Sequence, residues 1–278
     1  YELAPDDSFD FFPEWKVKER EWLAEQGAAF VSIVSQSPDL LKGIDSKRIA
    51  TFQKAAGTAL NKYRQYVQSD KISWTVIASP SEAWAEKVFP NLPKEKQVDA
   101  LWDAIFKATR SDLDNPVEAW TKHNDTLHEK VHYLNAKKYA KLHYTAPGTD
   151  LTIELPKGHL WCGAGSVNEK GEEFMANMPT EEVFTVPHKD GVNGYVSSTK
   201  PLSYGGNIID NFKITFENGR ITKVEAEQGE EVLKNLVATD EGSHRLGEVA
   251  LVPHDSPISN SGLLFYNTLF DENASNHL

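Results

Sequence analysis

The segment Glu182-Val-Phe-Thr-Val-Pro-His188 decides our interpretation of the fold, because the chain contains its pattern twice. Glu248-Val-Ala-Leu-Val-Pro-His254 repeats the order Glu-Val-x-x-Val-Pro-His. Each copy is a short run of apolar and β-branched residues that ends at a proline, which predicts a buried strand stopping at its carboxyl end. Each copy also begins with a carboxylate, which is costly to bury unless a cation or a hydrogen-bond donor meets it.

The repetition predicts that Glu182 and Glu248 occupy related positions and point into one place. Two carboxylates brought together repel each other, unless a metal ion lies between them. Taken singly, either glutamate could equally be a hydrated residue at the edge of a strand. The pair is more informative than either member, and it makes a metal site our leading hypothesis. The register of the repeat selects Glu182 rather than its neighbour Glu181.

Further candidate ligands accumulate near the end of the chain, after the second copy. They are Asp271, Glu272, Asn273 and His277. Glu, His and Asp together suit borderline divalent metals such as zinc, cobalt or manganese. Two such ions bridged by a carboxylate would hold a substrate carbonyl and activate water. His188 and His254, which follow the two prolines, are more often structural or solvent-facing, and the alternative is that they donate hydrogen bonds to the ligands.

A second metal hypothesis rests on His128-Glu-Lys-Val-His132, which fits the H-E-x-x-H pattern. On a helix this spacing places two imidazoles on one face for zinc, with Glu129 as the general base. Lys130 would bring a second cation next to the metal, and the flanking residues are polar. We therefore favour a solvent-exposed histidine pair. A single-zinc peptidase that uses His128, Glu129 and His132 is the alternative.

Composition limits the partners that we expect. The chain has 278 residues, of which 40% are hydrophobic and 25% charged, with a net charge of −12 and a pI of about 5.2. Nucleic acid and anionic membranes are poor partners for such a surface, and no apolar run is long enough to span a bilayer. Cys162 is the single cysteine, which excludes an internal disulfide framework and suits a cytoplasmic location.

The first half of the chain alternates helical and strand patterns. We predict helices over 13–26, 45–68, 94–109 and 116–139, another from Ser81, and strands over 29–34 and 72–77. Strand patterns dominate downstream, at 151–155, 182–186 and 194–198, and in a hairpin over 212–224 that turns at Asn218-Gly219. A single helix is predicted over 230–238.

This change of pattern predicts two domains. We expect an α/β N-terminal domain over residues 1–146, with a mostly parallel sheet covered by helices. An α+β, strand-rich catalytic domain over residues 147–278 follows it.

Three stretches of the chain carry a family resemblance. They are Asn177-Met-Pro-Thr-Glu-Glu-Val-Phe-Thr185, Leu246-Gly-Glu-Val-Ala-Leu-Val252 and Asn273-Ala-Ser-Asn-His-Leu278. In their order and spacing they resemble the aminopeptidase T, aminopeptidase S and PepS group of dinuclear metallo-aminopeptidases, and the similarity runs through the whole chain. The resemblance implies a homodimer that removes N-terminal residues from peptides with a free N-terminus, using two divalent metal ions.

The same resemblance assigns roles to three residues. It makes Glu182, Glu248 and His277 metal ligands, with Glu248 as the bridging and catalytic carboxylate. The family pattern continues with a tyrosine, a histidine and an aspartate that have no positions here, and opening strands of its N-terminal domain are also missing. We therefore expect an internal fragment of a longer polypeptide. A catalytically incomplete, dimerising fragment is the alternative to an active enzyme.

Overall fold

The computed structural model describes residues 1–278, and its architecture is mixed α/β. The helices are α1 (Glu14–Glu25), α2 (Ser46–Ala59), α3 (Asn61–Gln68), α4 (Glu82–Val88), α5 (Lys94–Ala108), α6 (Pro116–Lys137), α7 (Glu230–Val237), α8 (Pro257–Ser261) and α9 (Thr268–Asp271). Short 3-10 turns occupy Asp6–Asp10, Gly242–His244 and Glu272–Ala274. None of the helices combines the length and hydrophobicity that crossing a lipid bilayer requires.

The strands are mostly short and fall in the second half of the chain. They are β1 (Phe30–Val34), β2 (Trp74–Ala78), β3 (Lys141–Ala146), β4 (Thr149–Glu154), β5 (Cys162–Gly163), β6 (Ser166–Val167), β7 (Glu173–Phe174), β8 (Val183–Thr185), β9 (Val192–Ser197), β10 (Leu202–Tyr204), β11 (Asn207–Glu217), β12 (Arg220–Gln228) and β13 (Val249–Leu251).

The first half contains a small parallel sheet among helices. β1 and β2 pair in parallel, as predicted, but the sheet has only these two strands. A later segment extends it, because the Val76 N–H donates to the Ala176 carbonyl and the Met178 N–H donates to the Val76 carbonyl. The predicted burial of β1 is wrong: Val31 and Ile33, which share one face of the strand, are exposed.

Helix ends follow local chemistry, with one unpredicted break. The Ser81 hydroxyl accepts the Trp84 N–H at 3.3 Å and begins α4, as expected of an N-cap. Asn115 caps α6 in the same way, through the Glu118 N–H. The helix predicted over 45–68 divides at Leu60 into α2 and α3.

The second half is built on an antiparallel sheet with the order β10-β11-β9-β4-β3, and β12 pairs with β11. The β11–β12 hairpin turns at Asn218 and Gly219, which have φ of +49° and +79°. Glu217 and Arg220 face each other across the two-residue turn, so the predicted hairpin is confirmed. A separate three-stranded sheet, β13-β8-β5, carries both copies of the repeated motif.

Two apolar cores hold these layers together. The first joins Trp84 and Leu101 to Ile258, Phe265 and Phe270 from the end of the chain. The second joins Leu127 of α6 to the strands of the second half. Both cores therefore combine residues from the two sides of position 146, and the division into domains at that position stays a prediction.

We expect Phe270→Ala to lower the free energy of unfolding by about 3–5 kcal/mol, because it leaves a cavity in the first core. Phe270 is fully buried and stacks on Phe265 with ring centroids 4.5 Å apart. Urea unfolding followed by circular dichroism measures the change. Phe11→Ala is the control, since Phe11 is exposed and should change stability by less than about 0.5 kcal/mol. Similar losses in both variants would contradict this description of the core.

Candidate metal centre

The two copies of the repeat lie side by side in the three-stranded sheet. β8 and β13 run antiparallel with Phe184 opposite Ala250, so Glu182 and Glu248 lie at opposite ends of the pair. His277 forms a bridge with Ala250 on the other side of β13. Because alternate residues of a strand share a face, all three candidate ligands project from the same face of the sheet.

The three side chains meet above that face. Nε2 of His277 lies 2.8 Å from Oε2 of Glu182 and 3.3 Å from Oε1 of Glu248. One ligand atom from each residue lies within 4.8 Å of the others, and no other group of three or more His, Cys, Asp or Glu side chains in the chain is arranged in this way. The side chain of Glu182 is 11% exposed and that of Glu248 is 41% exposed, so the group opens to solvent on the Glu248 side.

The donor atoms of this group fit a cation. Nδ1 of His277 lies 3.1 Å from the Ser275 carbonyl oxygen, which can only accept, so Nδ1 carries a proton and Nε2 of the neutral ring offers a lone pair. Oε2 of Glu182 is buried and receives no well-directed hydrogen bond. When Nε2 is protonated it is the only donor that faces the two acids. Loss of that proton leaves three lone-pair-bearing atoms that converge on one point. This combination of imidazole and carboxylates suits a borderline divalent metal.

Electrostatics at the group lead to the same conclusion. Burial lowers the pKa of His277, but hydrogen bonds and attraction to Glu182 and Glu248 outweigh it and raise the pKa to about 10. Desolvation, with repulsion from the Glu182 and Glu248 carboxylates, raises the pKa of Glu272 to about 7. Glu272 therefore lies near enough to feel both acids, although it is absent from the group of three.

The other residues near the chain end have different roles. Asp271 accepts the backbone N–H groups of Phe265 and Asn267 at 2.8 and 2.9 Å, and burial raises its pKa to about 6. It therefore stabilises a loop, and it is not one of the three grouped side chains. Asn273 is buried and its Oδ1 accepts the Glu181 N–H at 2.7 Å. These contacts position the segment that carries Glu272 and His277.

The histidines of the two motifs lie outside the group. His188 and His254 are exposed at the far ends of their strands. His188 accepts the Asp190 N–H through Nδ1, which is a local structural contact. His128 and His132 do share helix α6, but the structure brings no third ligand to them. The single-zinc hypothesis thus has no complete site.

Sequence analysis missed two residues that contact the segment just before Glu182. Arg110 forms an ion pair with Glu181, and His123 contacts the Thr180 carbonyl. No local motif marks either residue, because each meets the strand only through the tertiary fold. The only available signal was the pair of adjacent acids, Glu181-Glu182, one of which required a partner.

Comparison with known proteins identifies the family. The sequence profile described as "Thermophilic metalloprotease (M29)" matches residues 1–278. The chain belongs to this M29 family. Membership of a metalloprotease family makes it a peptide hydrolase that uses a divalent metal, which confirms the resemblance seen in the sequence.

Relatives within the M29 family are similar along the whole chain. Aminopeptidase AmpS of Bacillus subtilis is 69% identical over 278 residues, which are 100% of this chain and 68% of that protein. Aminopeptidase 2 of Geobacillus stearothermophilus is 54% identical over 275 residues, 99% of this chain and 67% of that protein. The chain thus spans about two thirds of the length of these relatives.

A solved structure of the same family has the same fold. Wild-type AmpT from Thermus thermophilus is 42% identical, with a TM-score of 0.89 over 99% of this chain and 68% of that chain. The mixed α/β architecture is therefore that of an M29 protein.

We expect metal binding at the Glu182, Glu248 and His277 group to release protons. His277 has a pKa raised to about 10 in the metal-free group, so below that pH its imidazolium must lose a proton before Nε2 can bind a metal. Apparent affinity should then rise up to about tenfold per pH unit between pH 7 and 9. Calorimetry of zinc binding at pH 8, in buffers with different ionisation enthalpies, measures the protons released.

The control for this measurement is His254→Gln. His254 is the exposed histidine at the end of the second copy of the repeat and lies outside the group. It should release as many protons as the parent, whereas His277→Gln should release about one fewer and bind more weakly. An affinity independent of pH, or the same proton count in all three proteins, would contradict this assignment.

Proposed function

We propose that this protein is a metal-dependent aminopeptidase that releases N-terminal residues from peptides with the help of two divalent ions. Its M29 relatives are named aminopeptidases. The observation that carries the proposal is the convergence of Glu182, Glu248 and His277, with a buried Glu182 oxygen 2.8 Å from Nε2 of His277. A lone ion pair would not require two carboxylates on one imidazole.

The residues suggest how two ions would be shared. Glu182 and His277 are the more enclosed ligands and are only 2.8 Å apart, so we assign them to one ion. Glu248 is more exposed and lies at the open side of the group, which suits a bridging and catalytic carboxylate. Glu272, whose pKa responds to both acids, is our additional candidate for the second ion. Once bound, the ions would polarise the scissile carbonyl and lower the pKa of a water molecule.

The chain's own residues also explain a preference for peptide ends. The chain carries a net charge of −12, which the four positive charges of two divalent ions would only partly offset. Such a field attracts the α-ammonium group of a free N-terminus and disfavours a peptide's carboxylate end. The Ser275 carbonyl meanwhile fixes the His277 ring, so that Nε2 faces the acids.

Several finer features remain predictions. Zinc, cobalt and manganese all suit this donor set, and the homodimer and the cytoplasmic location rest on the resemblance and on composition. We also retain the division into an N-terminal domain over residues 1–146 and a catalytic domain over residues 147–278 as a proposal.

We expect Glu248→Gln to lower kcat/KM for an aminoacyl 4-nitroanilide by about 100-fold or more, because the neutral amide removes a charged bridging ligand. The rate of nitroaniline release by zinc-, cobalt- or manganese-loaded protein gives kcat/KM, and elemental analysis gives the ion count. Glu217→Gln is the matched control, since Glu217 is exposed on β11 and away from the group. It should leave both quantities unchanged.

The same assay with an N-acetylated nitroanilide tests the preference for a free N-terminus. Blocked substrate should be turned over far more slowly, since acetylation removes the positive charge that the acidic protein attracts. Equal turnover of both substrates would contradict the exopeptidase proposal. Full activity of Glu248→Gln would contradict the assignment of Glu248.

A further inference from the structure

A buried charged cluster lies directly behind Glu182. We call it the Glu181 anchor, and it consists of Arg110, His123, Glu181 and Asn273. Arg110 donates two parallel hydrogen bonds to the Glu181 carboxylate, at 2.5 Å from Nη1 and 2.9 Å from Nη2. Glu181 is only 1% exposed. A bidentate pair of this kind fixes orientation as well as position.

His123 extends the anchor by one residue along the chain, to Thr180. Its Nδ1 lies 3.3 Å from Nη2 of Arg110, which can only donate. Its Nε2 lies 2.7 Å from the Thr180 carbonyl oxygen, which can only accept. The ring is therefore neutral, with its proton on Nε2. Desolvation lowers the pKa of His123, which also favours the neutral form.

Asn273 connects the anchor to the other ligand-bearing segment. Its Oδ1 accepts the Glu181 N–H at 2.7 Å, and its Nδ2 donates to the Leu269 carbonyl at 3.1 Å. Glu272 immediately precedes Asn273, and His277 follows Asn273 four residues later. One buried amide therefore fixes the start of β8 against the segment that supplies the imidazole.

The backbone at Arg110 has a conformation that is more usual for glycine. Arg110 follows α5 with φ of +56°, a left-handed conformation that usually selects glycine after a helix. The arginine side chain is held in return, since its guanidinium lies 5.6 Å from the centre of the Trp120 ring. The backbone of Arg110 and its guanidinium group are therefore both held by contacts other than the ion pair with Glu181.

We propose that Arg110 is a positioning residue for the metal centre, acting through Glu181 on the orientation of Glu182. Glu181 and Glu182 are adjacent, and their side chains reach different partners, Arg110 and His277 respectively. Arg110, which follows α5, holds the Glu181 side chain on its own side of the chain. The Glu182 side chain is therefore directed towards Glu248 and His277. The ion pair is formally neutral, so its effect on a bound cation comes from geometry. This inference rests on the proposed function, because it assumes that Glu182 is a metal ligand.

The double substitution Arg110→Met with Glu181→Met tests the inference without leaving a buried charge unpaired. Replacing a buried ion pair by apolar residues is often neutral or stabilising. We expect a folded protein with a melting temperature near that of the parent. Its affinity for zinc or cobalt should fall by about 10- to 100-fold, the usual effect of losing support behind a ligand. The visible absorption spectrum of the cobalt form should also change, since it reports ligand geometry.

The matched control is Arg220→Met with Glu241→Met, which removes an exposed arginine–glutamate pair far along the chain. It should bind metal like the parent. Parental affinity and an unchanged cobalt spectrum in the folded Arg110 and Glu181 double variant would overturn the inference. If that variant does not fold, Arg110→Lys keeps the charge without the two-pronged contact. Weaker binding by Arg110→Lys supports the inference, and parental binding overturns it.

Hydrogen exchange separates this inference from the proposed function. If the parent protein binds no divalent metal, the proposed function fails. Hydrogen exchange of the 181–183 amides, compared between metal-free Arg110→Lys and metal-free parent protein, then tests the positioning role of the Glu181 anchor separately. Faster exchange at these amides in Arg110→Lys, with parental exchange elsewhere in β8 and β13, supports the positioning role. Unchanged exchange overturns it.

Discussion

The pairing of β8 with β13, with His277 beside them, is the constraint on which the site depends. Three short backbone segments supply the three candidate ligands, and each segment hydrogen-bonds to the next. The central pair, Phe184 and Ala250, fixes the register. A shift of one residue would move Glu182 or Glu248 to the opposite face of the sheet. The chemistry of the site is thus set by backbone pairing before any side chain contributes.

The cost of gathering these charges explains much of the surrounding structure. Glu181 and Glu182 are adjacent and both largely buried, and each needs a different partner. Glu181 has Arg110 on one side of the strand, while Glu182 faces His277 on the other. Neutralising one acid with arginine leaves the other available for a cation. The two apolar cores hold these partners in place, because each packs helices of the first half against elements of the second.

Much of the site follows from the sequence, and for a physical reason. Two copies of a buried strand that begins with a carboxylate predict that the two carboxylates lie close together. The structure does bring Glu182 and Glu248 together at His277. The hairpin at Asn218-Gly219 was predictable because its turn requires positive φ. Equivalent positions in the repeat suggested related strands, but not that the strands would run antiparallel and place the acids at opposite ends.

Other features depend on contacts that no local pattern encodes. Arg110 meets Glu181 across 71 residues of chain, and a lone arginine after a helix carries no motif. The apolar character of Val31 and Ile33 on β1 predicts burial, but both are exposed, because burial depends on what packs over that face of the sheet. The break between α2 and α3 at Leu60 likewise interrupts a continuous helical periodicity.

Anomalous diffraction from crystals grown with zinc would test the central claim most directly. Data collected on both sides of the zinc absorption edge locate the ions independently of any assumed ligand. We expect anomalous density within coordinating distance of Nε2 of His277 and of carboxylate oxygens of Glu182 and Glu248. Density at His128 and His132 instead, with none at those three residues, would contradict it.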